Sequence, residues 1–440
     1  MRRRFPFALP FVGAALLLAM ASFAHAQEPG TAAPAFTDTV YVAPPTGTRE
    51  ADRAAVVAAL AEVQPGGVVQ FGSGTYVIGA SIVGSGTPLI EVTAPGATLL
   101  GHPQGTTLRG CDPDGFDPHD CHGMELTGGH QTVRDLTFEY FTRPLMLGGY
   151  GIRCTAPGEC APDGTESLVG GYLVEGNTFR SVTSVNARGK WQQPTVIRHN
   201  TFVNVFHAVS VIGGIAHILD NDISVTDPDE IPGFHHAGGA ISILAYSEFL
   251  APTCDGNVIA GNRIVGHPES INIRLMESYE PESCRDNVIR DNTILNSRIP
   301  EDPAFPYASG AILLVNETGR DGLIEGTQIE GNQINDSQGV GVTVFRGSRN
   351  RIVDNSIRGL GLLDARLLNE RVPQDVANGS AIWLSPGSDE NEIVGNTFED
   401  IVGDAVVLEG DNNEVALRSA EDTVRDLGHG NRVTQQPEGQ

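Results

Sequence analysis

Any chemistry in this 440-residue chain has to come from a few scattered groups. Its single lysine, Lys190, stands two residues after Arg188, in Asn186-Ala187-Arg188-Gly189-Lys190-Trp191. An amine with a lowered pKa can take a proton from carbon. A guanidinium can hold a sugar carboxylate and stabilise the enolate-like intermediate. Arg274 is a second cation of this kind. His235 and His236 follow Asp227, Asp229 and Glu230, and could act as base or as metal ligands. The expected catalytic set is therefore Lys190, Arg188, Arg274, His235 and His236. Asp229, Glu248 and Glu277 lie in neighbouring segments, and a carboxylate pair would suit glycoside hydrolysis instead. Asp112, Asp114, Asp117 and Asp120 surround Gly115 between Cys111 and Cys121, and spaced acids about a glycine can wrap Ca²⁺. Calcium is the one cofactor the sequence suggests.

The frame for these groups is a repeat. Val174-Glu175-Gly176-Asn177-Thr178-Phe179 returns as Ile197-Arg198-His199-Asn200-Thr201-Phe202, and six further copies follow. The recurring asparagines are 177, 200, 221, 262, 292, 332, 355 and 396, spaced by 23, 21, 41, 30, 40, 23 and 41. A base period of roughly 22 residues with some long copies means one supersecondary unit with loops inserted into it. A second apolar run alternates at period two after each asparagine, as in Val209-Ser210-Val211, Ile241-Ser242-Ile243 and Ile271-Asn272-Ile273. These are strands. Three short strands per unit leave no room for a helical crossover, so the chain must coil and pair each strand with its copy one turn later. Asparagine tolerates left-handed backbone and can hydrogen-bond up such a stack, so it is expected at the bend itself.

On these copies the chain resembles the right-handed parallel β-helix superfamily, the pectate-lyase-like and carbohydrate-binding β-helix repeat proteins. The resemblance implies an all-β, single-stranded helix, and counting the copies along the chain gives roughly twelve turns, about 60 Å at one strand spacing per turn. Glu50–Val63 reads as an amphipathic helix covering the open N-terminal end. The expected organisation is a signal peptide at 1–26, a flexible lead at 27–39, the β-helix at 40–431 and a frayed tail at 432–440. The signal reading rests on Arg2, Arg3 and Arg4, the apolar Phe11–Met20, and an Ala24-His25-Ala26 cleavage site. No later stretch is apolar enough to span a bilayer. A secreted or periplasmic monomer is expected.

The formal charge is −26, and −29 once the three signal arginines are removed. That disfavours nucleic acid, and polyanionic glycans in general unless a basic patch or cations intervene. Six cysteines in an exported chain suggest disulfides Cys111–Cys121, Cys154–Cys160 and Cys254–Cys284. The last pair lies 30 residues apart, as do Asn262 and Asn292, and should occupy equivalent places on adjacent turns.

Five insertions flank the alternating strands, here called the front strands. Outward front residues should then floor a walled groove. One column is Asn186, Ser210, Ser242, Asn272, Leu313, Thr343 and Trp383. The next is Arg188, Ile212, Leu244, Arg274, Val315, Phe345 and Ser385. Such a floor suits a polysaccharide, with Tyr246, Tyr279 and Trp383 stacking on sugar faces. Asn186–Phe202 resembles the turn that carries the catalytic lysine in family-six polysaccharide lyases, which implies β-elimination on a uronic-acid polymer. The Arg-His-Gly of that family's next turn is replaced by Val211-Ile212-Gly213. Asp117-Pro118-His119 resembles the motif of mannuronan C5-epimerases. The alternatives are a non-catalytic scaffold or surface carbohydrate-binding protein, and a glycoside hydrolase or epimerase on the same frame.

Overall fold

The computed structural model describes residues 38–80, 89–111, 121–148, 152–156, 159–162, 170–189, 193–227, 239–245, 253–275, 282–297, 310–362 and 378–435. Among them, almost every strand pairs in parallel with its copy one repeat later. Leu173–Glu175, Thr178–Arg180 and Val185–Arg188 make one turn. Thr195–Arg198 then lies back on Leu173–Glu175, with Val174 beside Ile197. Repetition builds three long sheets of 14, 11 and 12 described strands. The 12-stranded sheet holds the front strands, from Ile90–Val92 to Val424–Asp426. The chain is a right-handed parallel β-helix.

Inward positions carry the apolar residues of the repeat. Phe138, Phe179 and Phe202 stack over one another, with ring centroids 5.0 and 4.8 Å apart. At the N-terminal end the sole described helix, α1 (Arg49–Glu62), packs Val56 and Ala59 into the same core. Asp52 ties it down by accepting from Thr46 N at 2.6 Å and Val77 N at 2.9 Å. Burial pushes the Asp52 carboxyl up, but the hydrogen bonds from Val77 and Thr46 prevail and hold it below its ordinary range. At the other end Arg432–Gln435 pairs with Glu414–Leu417, so regular structure runs past residue 431, where fraying was expected to begin.

All eight predicted asparagines stack. From Asn177 to Asn396, each backbone N–H donates to the next Oδ1 at 2.9–3.0 Å. Each Nδ2 donates to the same oxygen at 2.9–3.1 Å. The conformation differs from expectation in one respect. The left-handed residue is the one before each asparagine: Gly176, His199, Asp220, Gly261, Asp291, Gly331, Asp354 and Gly395. The predecessor makes the bend, and the asparagine beyond it is free to point inward and bond.

A second stack runs at another corner through Asn257, Asn287, Asn350, Asn391, Asn413 and Asn431. Thr327 interrupts it between Asn287 and Asn350; its N–H reaches Asn350, but Asn287 Nδ2 and Thr327 Oγ1 have no partner. Cys254 and Cys284 form the predicted adjacent-turn disulfide beside this stack, with Cα atoms 4.4 Å apart. Cys111 and Cys121 are also bonded, at 6.0 Å. Cys154 and Cys160 stand opposite each other in an antiparallel pair, but their side chains lie outside the described residues. Thr327→Asn should complete the stack and add about 1 kcal/mol, read as a higher urea midpoint with an unchanged slope. A midpoint at or below wild type would mean the gap is not a hydrogen-bonding defect.

Candidate functional site

Parallel register fixes the front columns. Asn186, Ser210, Ser242, Asn272, Leu313, Thr343 and Trp383 are successive Cα partners. Arg188, Ile212, Leu244, Arg274, Val315 and Phe345 form the neighbouring column. Alternation turns the flanking Ile271, Ile273 and Leu275 into the core and leaves Asn272 and Arg274 on the outer side. The first column is recessed, and none of its members is more than 9% exposed.

Its middle turn holds a buried polar cluster. Asn272 Nδ2 donates to Glu269 Oε2 at 2.8 Å, which places Glu269 on the outer side too. Arg274 Nη2 pairs with Glu317 Oε1 at 2.5 Å, both largely shielded from water. Burial pushes the Glu269 carboxyl up, Arg274 and the Asn272 hydrogen bond pull it down, and Glu317 pushes it up again. The outcome is a pKa raised from 4.5 to about 7. A carboxyl that keeps its proton near neutrality can act as a general acid.

Local backbone makes room for it. Glu269 lies two residues before Ile271, level with Gly239 on the preceding turn. A Cβ on Gly239 would stand 3.2 Å from both Glu269 O and Ser242 Oγ. His207 is level with both, one turn further back, and its Nδ1–H donates to Gly239 O at 2.6 Å. That bond leaves Nε2 as the acceptor nitrogen. Burial outweighs the bond and depresses the His207 pKa, which favours the neutral ring.

The expected site residues are only partly gathered here. Arg188 is three strands from Arg274, about 14 Å at one spacing each, so the two do not meet on one sugar. Arg274 faces Glu317. Trp383 is 1% exposed, packs on Val340 and Val407, and donates Nε1–H to Glu409 at 2.8 Å. Its indole is thus engaged by protein groups and is not the exposed platform expected of it. Lys190, His235, His236, Tyr246, Tyr279, Asp229, Glu248, Glu277, Asp112, Asp114, Asp117 and Asp120 lie outside the described residues. Sequence reasoning missed Glu269, Glu317 and His207. A usable signal was present: the copies equivalent to Glu269 on the two flanking turns carry Gly239 and Gly310, so an acid between two glycines stands out.

With this geometry in place, comparison with known proteins is informative about fold. Residues 240–417 match the family described as periplasmic copper-binding protein (NosD). No curated protein matches the chain. Among solved structures, the chain is similar to the tailspike protein of E. coli bacteriophage HK620, solved with a pentasaccharide. The identity is 12%, over 89% of this chain and 78% of that one, with a TM-score of 0.51. It is also similar to the catalytic unit of a thermostable α-1,3-glucanase from Streptomyces thermodiastaticus strain HF3-3. There the identity is 14%, over 91% and 70%, with a TM-score of 0.48. The likeness to the tailspike is one of fold, the right-handed parallel β-helix.

The copper in the matched family's description finds few ligands here. Residues 240–417 contain one histidine, His267, and one methionine, Met276. Their two cysteines are bonded to each other. Copper sites draw on imidazole, thiolate and thioether groups, and no three His, Cys, Asp or Glu gather among the described residues. The residues present do not fit a copper centre.

The raised Glu269 pKa has a consequence for stability. A proton held by the folded but not the unfolded chain makes stability fall as pH rises, here from 4.5 to about 7. Glu269→Gln should flatten that part of the pH–stability curve, followed by urea denaturation at a series of pH values. A slope unchanged in the variant would show that Glu269 is ionised in the folded chain.

Proposed function

We propose that this chain is an exported protein that binds a polysaccharide along its front sheet and cleaves it by acid–base hydrolysis at the turn of Glu269. The observation that carries this reading is the buried, proton-retaining Glu269 beside the Arg274–Glu317 pair. Glu269 protonates the leaving glycosidic oxygen, and Asn272 orients it through Oε2. Glu317, held by Arg274, is the second carboxylate and activates the attacking water. His207 orders the preceding turn through Gly239. Export is supported by the leader-like residues 1–26 and by the periplasmic description of the matched family. No helix among the described residues is long and apolar enough to cross a membrane.

β-Elimination by Lys190, with Arg188 and the histidine pair, is the competing chemistry, and the product separates the two. Hydrolysis yields new reducing ends without the ultraviolet absorbance of an unsaturated sugar. Glu269→Gln should lower the rate by about 10²- to 10⁴-fold, with Lys190→Ala close to wild type. Wild-type activity should decline as pH rises through about 7. An unsaturated product that disappears in Lys190→Ala would replace hydrolysis by elimination. Glycan binding without either product would leave a carbohydrate-binding scaffold.

A further inference from the structure

The outward column contains polar atoms that the protein leaves unmatched. Asn186 Nδ2, Asn272 Oδ1 and Thr343 Oγ1 are buried and make no hydrogen bond. Each residue is at most 5% exposed. An unmatched buried polar atom costs about 1–3 kcal/mol, so three in one column are better explained by a ligand than by folding. They are three and then two strands apart along the helix axis, a span of about 24 Å. Ser210 and Ser242 fill the places between the first two. The unmatched atoms comprise one donor, one acceptor and one hydroxyl that is both. A sugar hydroxyl can meet every one of them, whereas a carboxylate can only accept.

The electrostatics point the same way. The described guanidinium nearest the centre, Arg274, is committed to Glu317, and Glu269 lies beside the pair. The segments entering and leaving the front strands at 228–238, 246–252, 276–281, 298–309 and 363–377 contain ten acidic residues and three arginines. The whole chain carries −26. A polyanion would therefore approach against an unfavourable field.

We propose that the front column takes an uncharged, hydroxyl-rich polysaccharide lying along the helix axis, and that it rejects uronic-acid polymers. This rests on the reading of the front sheet as a glycan site and names its substrate class. The test is binding of the full chain to neutral glucans, mannans and xylans, and to polygalacturonate and alginate of matched length, at low and high salt. Neutral chains should bind with an affinity independent of salt, and the polyuronates should not bind at either. Asn186→Leu, which removes the side-chain amide, and Thr343→Val, which removes one hydroxyl, both at similar volume, should each weaken neutral-glycan binding about 3- to 10-fold. Their circular dichroism and urea midpoints control for folding. Polyuronate binding as tight as neutral binding overturns the proposal and leaves the glycan-binding reading in place. Folded variants that bind neutral glycans as wild type does overturn it equally. Failure of the wild type to bind either class overturns both.

Discussion

The amide stack running from Asn177 to Asn396 is the constraint on which the rest depends. Each asparagine answers the backbone N–H and the side-chain amide of the turn before it, and its own Nδ2 reaches back to a strand carbonyl, as Asn200 does to Val174 O. Buried amides left unanswered would be costly. One residue out of register would orphan several at once. The stack therefore holds neighbouring turns at a single strand spacing and fixes which side chains lie above one another. Because side-chain direction alternates along a strand, that vertical alignment also decides which residues share the outer surface of the front sheet.

The Glu269 cluster shows what this alignment does for chemistry. Glu269 and Asn272 come from one turn, Glu317 from the next, and His207 from two turns earlier. No local motif could bring them together. Strand pairing sets their heights, and apolar packing beneath them sets their depth. Depth then determines protonation: little water reaches Glu269, so its charged form is disfavoured even with Arg274 nearby. The same shielding makes the Arg274–Glu317 contact matter more than an exposed pair would, since such contacts weaken sharply in water.

Much of the frame was legible in the chain because its signal is periodic. The asparagine spacings gave the turns, the alternating runs gave the front columns, and the equal 30-residue offsets of Cys254–Cys284 and Asn262–Asn292 gave a bond between neighbouring turns. The bend was misassigned by one residue. Gly, Asp and His before the asparagine were visible, but stacking and left-handed backbone were both attributed to the asparagine. Glu269 was missed for a physical reason. It sits at a corner, where period-two alternation no longer says which way a side chain faces, and its partner Glu317 is 48 positions along the sequence. Trp383 was read as a sugar platform because alternation gives direction but says nothing of what covers a residue.

The corner that carries the main stack is always two residues long, as in Gly176-Asn177 between Leu173–Glu175 and Thr178–Arg180. Every long interval in the repeat falls instead on the path to or from the front strands. The molecule thus separates a part that cannot lengthen from a part that can. Segments beside the front sheet could be exchanged, shortened or transplanted from a homologous rod while the load-carrying spine stays untouched. Such a division makes the scaffold a natural chassis for recognition surfaces that diverge faster than the fold beneath them.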